Sequence, residues 1–343
     1  MSINIGLATV PMGSKKISEE ELKKVISKHA LWLQDHDTGK RAELNGYRIE
    51  DVDISGVDLS QADLSGSSFT EVKLIGTNLS GARLIGTVFM NVDMTDAILD
   101  DVNLQEGDIS HSTLVRMKAH RANFISCIMW DNDFTEAVLS ASRFLGAQLC
   151  DGKFQGADLS YCDLSFADID YANFEDAVLK EVDLKWTRNS YWASFKNADM
   201  EDIDLKGSAI DDKAVEGAKN LFVPMVCPEE GSFIAWKKCR DGKVIRLMVP
   251  EDAQRTGGSS YTCRASEVVI LNIFDGENEC EEAICLYDDE IVYHKGERIK
   301  DEEEFDPSLL HDGTGIHFYI TRAEAERADY SFDEDDEEEE DGD

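Results

Sequence analysis

Three residues in the last third of the chain carry side chains suited to proton transfer on an anion. Arg255 opens the glycine-rich run Arg255-Thr256-Gly257-Gly258-Ser259-Ser260, Arg264 follows it, and His317 lies in a β-patterned run. Brought together, two guanidiniums would hold an anion and His317 would serve as a general base. The run lacks the lysine and the following helix signal of a phosphate loop, and no GxxxxGK[ST], GxGxxG, HExxH or GxSxG motif is present. A structural histidine and two surface arginines explain the same residues, so no catalytic residue is assigned. Cys280, Cys285 and His294 match no standard metal spacing, and neither a metal site nor a cofactor is expected.

Charge offers a second kind of chemistry. The 343 residues hold 71 Asp and Glu against 34 Lys and Arg, a formal net charge of -37. That balance argues against duplex DNA or an anionic membrane as a direct partner. One basic island, Arg116, Lys118, His120 and Arg121, interrupts it and is a candidate site for an anionic ligand or an acidic partner segment, although a solvated face balanced by nearby carboxylates is the account to be preferred.

The element that must position these groups spans residues 41–210. From Leu44 to Leu184 every fifth residue is Leu, Ile, Phe, Met or, once, Ala, and the residue two before each is mostly small and uncharged. Neither a helix nor a strand has that spacing. A fixed period means a solenoid whose units bury their small apolar faces only by stacking. Ala62-Asp63-Leu64-Ser65-Gly66, Ala157-Asp158-Leu159-Ser160-Tyr161 and Ala172-Asn173-Phe174 resemble the pentapeptide-repeat family, over about half the chain. The resemblance implies a right-handed quadrilateral β-solenoid, four pentapeptides per coil, with the central residue and the one two before it pointing inward. The phase breaks at 185–194 and resumes one residue late at Phe195, Met200, Leu205 and Ile210. The break holds Trp186, Arg188, Tyr191 and Trp192, an aromatic bulge expected to pack on the C-terminal domain. At Met117 and Ala119 the small and large positions look exchanged.

Residues twenty apart stack in columns. Asp51, Glu71, Asn91, His111, Asp131, Asp151 and Tyr171 form one, whose carboxylates Asp51, Glu71, Asp131 and Asp151 are a candidate acidic surface. Ile85, Gln105, Ile125 and Leu145, continued by Phe166 and Trp186 one position over, form a candidate apolar contact strip for a second subunit or the C-terminal domain.

Around the solenoid, residues 1–40 hold an N-terminal segment and a capping helix over 15–36, with Ser18 and Glu21 as capping box and Leu22, Val25, Ile26, His29, Ala30 and Leu33 on one face. Residues 211–229 read as a short closing helix, over 211–222, and a linker. Residues 230–332 read as a β-rich domain with a terminal helix near Arg322. Its stretches Ser232 to Cys239, Pro250 to Arg255, Cys263-Arg264-Ala265 and Gly315 to Ile320 resemble an uncharacterised domain found after pentapeptide repeats in bacterial and phage proteins, a resemblance that implies no activity. Asp333 to Asp343 is an acidic tail with no means of folding alone.

The fold class expected is therefore mainly β. The start of the chain has no signal-peptide pattern and eight cysteines form no CxxC pair, so a cytoplasmic protein with reduced thiols is expected. Some pentapeptide-repeat proteins resemble B-form DNA and bind topoisomerases. The resemblance implies a non-enzymatic binding protein that mimics DNA against a protein partner such as a topoisomerase or a defence enzyme. Residues 41–210 hold 29 acidic and 14 basic side chains, a net of -15 on a rod about 40 Å long, where a duplex would carry about 23 phosphates. The alternatives are a rigid scaffold, single or as a homodimer, presenting the C-terminal domain to a protein partner, or an enzyme with its site in residues 230–330.

Overall fold

The computed structural model describes residues 15–188, 192–208, 210–257, 262–286, 288, 290–301, 303–310 and 313–328. The acidic tail, Tyr191 and the end of the glycine-rich run lie outside them. The chain divides into two units, 1–222 and 223–343.

In the first unit, β1 (Lys15–Lys16) precedes α1 (Glu19–Gln34), and β2 (Tyr47–Glu50), β3 (Ser68–Thr70), β4 (Val88–Met90) and β5 (Asp108–Ser110) form a parallel sheet in the order β1-β2-β3-β4-β5. The other sides of each coil pair through single parallel bridges, such as Asp53 to Lys73 to Asp93. Backbone bonds run from coil to coil, Leu44 N–H to Asp63 C=O (2.8 Å) and Asp63 N–H to Ala42 C=O (3.0 Å). Coil rise then equals strand spacing, and rings in one column must stack at that distance. Phe134, Phe154, Phe174 and Phe195 do so, with centroids 4.8, 4.8 and 4.9 Å apart.

Corners explain the rest of the repeat. Ser67 N–H reaches Leu64 C=O across the turn (3.1 Å), and Gly66 between them has φ of 64°. The position thus needs the left-handed region that Gly, Asn and Asp tolerate best. Where the residue before a centre is Asp or Asn, its carboxyl or amide oxygen commonly accepts the N–H two residues on, as Asp133 does from Thr135 (3.0 Å) and Asp183 from Lys185 (2.9 Å). Much of the repeat's acidity is therefore turn chemistry.

Several polar residues in the inward small position bond carbonyls of the preceding coil. Thr77 Oγ1 donates to Ile54 C=O (3.1 Å), Cys127 Sγ to Leu104 C=O and Cys162 Sγ to Leu139 C=O (both 3.1 Å), and Asn132 Nδ2 to Ile109 C=O. Burial pushes the Cys127 and Cys162 thiols up to about 12. Met117 and Ala119 are both fully buried in their exchanged positions.

The capping helix starts at Ser18, with the Ser18–Glu21 capping box formed. Leu22 and His29 are its buried residues, while Ala30 is exposed. His29 Nδ1 accepts from Ala42 N–H (3.1 Å) and Nε2 lies 3.0 Å from Ser60 C=O, so the ring is neutral and satisfies two backbone groups of the first coil. Burial holds its pKa below the ordinary histidine value. Protonation favours the unfolded chain, so this contribution is complete above about pH 6.5 and is lost as pH falls towards the lower folded value. Melting curves of wild type and His29→Gln should converge between about pH 7.5 and about pH 5.5; parallel curves would refute a neutral, bridging His29.

The expected closing helix over 211–222 does not form. Phe195 N–H bonds Ala214 C=O (2.7 Å) and Met200 N–H bonds Lys219 C=O (2.9 Å), so this stretch continues the solenoid and pairs with the open edge of the coil before it.

The second unit begins at Val223, earlier than the expected 230, because Val226 N–H bonds Gly257 C=O (2.8 Å) and Cys227 packs into the domain core. Its strands are β6 (Phe233–Lys238), β7 (Val244–Val249), β8 (Arg255–Thr256), β9 (Cys263–Ala265), β10 (Glu267–Asp275), β11 (Asn278–Cys280), β12 (Glu282–Ile284), β13 (Val292–His294), β14 (Arg298–Lys300) and β15 (Ile316–Phe318), followed by α2 (Arg322–Arg327). They form an antiparallel sheet β11-β10-β7-β6 with β14 on β10, a three-stranded sheet β15-β9-β8 and the pair β12-β13. Ile245, Leu247, Val249, Val268, Ile270, Ile273 and Phe318 are buried in its core.

Candidate binding surfaces

The corners display what the solenoid offers a partner. Asp51, Glu71, Asp131 and Asp151 all occupy left-handed corner positions, φ 51–58°, on one edge of the rod, and all are exposed. Other corners add the exposed Asp96, Asp101, Glu106, Glu136, Asp176 and Glu181. Within the first column His111 Nδ1 lies 3.1 Å from Asp131 Oδ2.

The basic island sits one coil above carboxylates. Arg116 grips Asp96 with Nε and Nη2 (2.8 and 2.7 Å), and Arg121 grips Asp101 in the same way (2.8 and 2.6 Å). His120 Nδ1 lies 3.0 Å from Asp100 Oδ1, which also accepts the His120 N–H. The Arg116 hydrogen bond holds the Asp96 carboxyl below its usual range, and Arg121 does the same for Asp101. An anion would have to displace these forks, and Lys118 is the exposed member that makes no such fork.

The strip residues Ile85, Ile125 and Leu145 are half-buried along one side. Phe166 and Trp186 cap it at the next corner, stacked at 6.4 Å and 17°. The structure adds a pair that a strict twenty-residue column misses: Tyr171 stacks on Trp192 at 6.1 Å and 13°. The bridge from Asp168 to Arg188 spans twenty residues, but that from Asn173 to Ser194 spans 21. Shifting the column by one after Arg188 would have found it. Phe166, Tyr171 and Trp186 hold φ of 58, 55 and 57°, a conformation that costs a bulky side chain about 1–2 kcal/mol.

In the second unit the three expected pocket residues do not converge. Thr256 pairs with Arg264 and Arg255 with Ala265, so the two arginines project from opposite faces of the three-stranded sheet. Arg255 lies over the Phe233 ring (5.4 Å) and donates to the carbonyls of Ala253 (3.1 Å) and Glu251 (3.0 Å). Arg264 is buried and donates to Ser308 C=O (2.8 Å) and Thr314 C=O (3.0 Å). His317 stands opposite Arg264 in register. Both guanidiniums hold the domain's own backbone. Among the described residues no three His, Cys, Asp or Glu side chains converge on a metal-sized site, and no helix is long and apolar enough to cross a membrane.

Coils of twenty residues, inward apolar columns and turn-closing Asp define a pentapeptide-repeat solenoid. The chain is a pentapeptide-repeat protein: the family described as pentapeptide repeats (8 copies) matches residues 48–91, 67–105, 77–114, 120–156 and 157–188. Residues 223–325 match a family of unknown function (DUF5758). Among solved structures it is similar to HetL, a pentapeptide repeat protein involved in heterocyst differentiation regulation from the cyanobacterium Nostoc sp. strain PCC 7120. That match has 23% identity, covers 55% of this chain and 90% of that one, and has a TM-score of 0.29. A trypsin-treated variant of QnrB1, a plasmid-mediated fluoroquinolone resistance protein, matches at 22% identity over 52% of this chain and 85% of that one, TM-score 0.27. No curated protein matches the chain.

Proposed function

We propose that this chain is a non-enzymatic, protein-binding module of the cytoplasm that acts as an acidic DNA mimic, occupying the nucleic-acid site of a partner such as a topoisomerase or a defence enzyme. The observation that carries this reading is the ladder of exposed corner carboxylates, Asp51, Glu71, Asp131 and Asp151, on a rod of regular rise. Side chains fixed on a regular backbone present charge with little left to order on binding, as a duplex does. The backbone duties of Arg255 and Arg264 weigh against an enzymatic site in the second unit.

The test is capture of DNA-binding enzymes from a bacterial lysate by the full chain and by a chain ending at Phe332. Elution with duplex DNA and with ~0.5 M salt, where screening falls to a few Å, is expected. Exchange of Asp51, Asp131 and Asp151 for Asn and of Glu71 for Gln should reduce capture at least fivefold. Capture that resists both DNA and salt would refute the mimic.

A further inference from the structure

We propose that Cys227 and Cys263 of the second unit form a peroxide-sensing dithiol, a modification site at which oxidation makes a disulfide and staples the entry segment of the unit to β9.

Both are free thiols, and their sulfurs already meet: the two side chains share a hydrogen bond, thiol to thiol, inside the core of the unit. Three stretches of chain bring them there. Val226 N–H donates to Gly257 C=O (2.8 Å), which lays the entry segment beside the end of β8, and Cys227 Sγ then lies 3.9 Å from Thr256 C=O. On β9 Arg264 pairs with Thr256, so Cys263 is next in register with Gly257. Gly257 keeps the path open, because a Cβ on it would lie 2.6 Å from Cys263 Sγ. The two positions are 36 apart in the chain, so no CxxC spacing announces the pair.

Other thiols of the chain are set up differently. Burial pushes Cys127, Cys150, Cys162 and Cys239 up to about 12, which keeps them protonated and unreactive. The hydrogen bond from Cys263, helped by the Arg255 guanidinium, outweighs burial at Cys227 and holds its thiol below the ordinary value. That same contact, and burial after it, pushes Cys263 up, so Cys227 carries the thiolate and Cys263 the proton. Exposure runs in the same order, 4% at Cys227 and none at Cys263. Hydrogen peroxide, little larger than water, therefore meets Cys227 first. The thiolate attacks one peroxide oxygen and the O–O bond breaks. Hydroxide departs and takes up the proton that the thiol had shed, leaving Cys227 as a sulfenic acid. Cys263 sulfur then attacks Cys227 sulfur, the S–O bond breaks, and the hydroxyl leaves with the Cys263 proton as a second water. One peroxide is reduced to two waters while each sulfur gives up one electron. The new bond closes the loop from 227 to 263 and pins the entry segment; a dithiol reductant releases it. This site makes no use of the corner carboxylates and stands without the mimic.

The experiment treats the full, reduced chain with a small excess of hydrogen peroxide under native conditions and then blocks the remaining thiols with N-ethylmaleimide in denaturant. Free thiols should fall from eight to six, a loss of two, with no dimer on a non-reducing gel. Trypsin separates the possible links: Cys227 is alone in peptide 220–237 and Cys263 alone in 256–264, whereas Cys280 and Cys285 share 265–295. The linked pair 220–237/256–264 should appear in wild type and in Cys239→Ala, and vanish in Cys227→Ser and Cys263→Ala. Hydrogen exchange at Val226 and Cys227 should slow at least tenfold in the oxidised chain and recover with dithiothreitol. Mapping of wild type is decisive even where a variant fails to fold. A link between any other two peptides, sulfinic acid at Cys227 without a link, or a link that forms only in denaturant would overturn the proposal. So would unchanged exchange at 226–227 once the link is made.

Discussion

Phe154→Ala should destabilise the solenoid by about 3–5 kcal/mol, the largest single effect expected in the chain. The ring is fully buried and stacks on Phe134 and Phe174, both at 4.8 Å. Truncation removes its burial, opens a cavity against two fixed rings, and interrupts a column whose spacing is set by backbone bonds rather than by the side chains. Those bonds prevent neighbouring coils from closing the gap. For a unit of this size the loss corresponds to a fall in melting temperature of roughly 10 °C. Leu159→Ala, buried in the next column, removes less volume and should cost less. Chemical denaturation followed by circular dichroism measures both, and a Phe154→Ala cost below about 1.5 kcal/mol would mean that the coils do collapse.

Arg264→Leu should destabilise the second unit by about 2–3 kcal/mol, because hydrogen bonds from a charged donor are lost inside the fold. The guanidinium holds the carbonyls of Ser308 and Thr314, and Thr256 Oγ1 joins it on Ser308 (2.8 Å). Gly313 has no side chain because a Cβ there would lie 2.5 Å from Arg264 Nη1. The backbone at Ser308 and at 313–314 is therefore built around this one side chain. Leucine fills part of the volume, takes the guanidinium donor from the Thr314 carbonyl and leaves the Ser308 carbonyl with Thr256 Oγ1 alone. Hydrogen exchange should rise across residues 303–316 while the solenoid is unchanged; unchanged protection there would remove Arg264 from its structural role.

The solenoid was legible because each constraint in it is local: a centre every five residues, a small residue two before, a turn-closing Asp or Asn between. The capping box at Ser18 and Glu21 was legible for the same reason. What failed was decided by distant partners. Ala214, Val215, Ala218 and Leu221 have helical spacing, yet the unpaired edge at Phe195 and Met200 captured their backbone. Strand β6 lacks a clean apolar alternation because Lys237 takes an inward position, its ammonium on His317 C=O (3.2 Å). Arg264 looked like a surface arginine because the loop that buries it lies some fifty residues away. The Tyr171–Trp192 pair was concealed by one extra residue.

That extra residue has a wider meaning. Pairing steps from twenty to 21 between Arg188 and Ser194, yet Phe195 still stacks on Phe174 and Asp199 on Val178. The coil can thus absorb an insertion between Arg188 and Ser194 without propagating an error. The rod obeys a grammar in which length changes by whole coils and decoration changes by single letters, so copying one twenty-residue sentence would extend any surface ladder by one rung while posing no new packing problem to its neighbours.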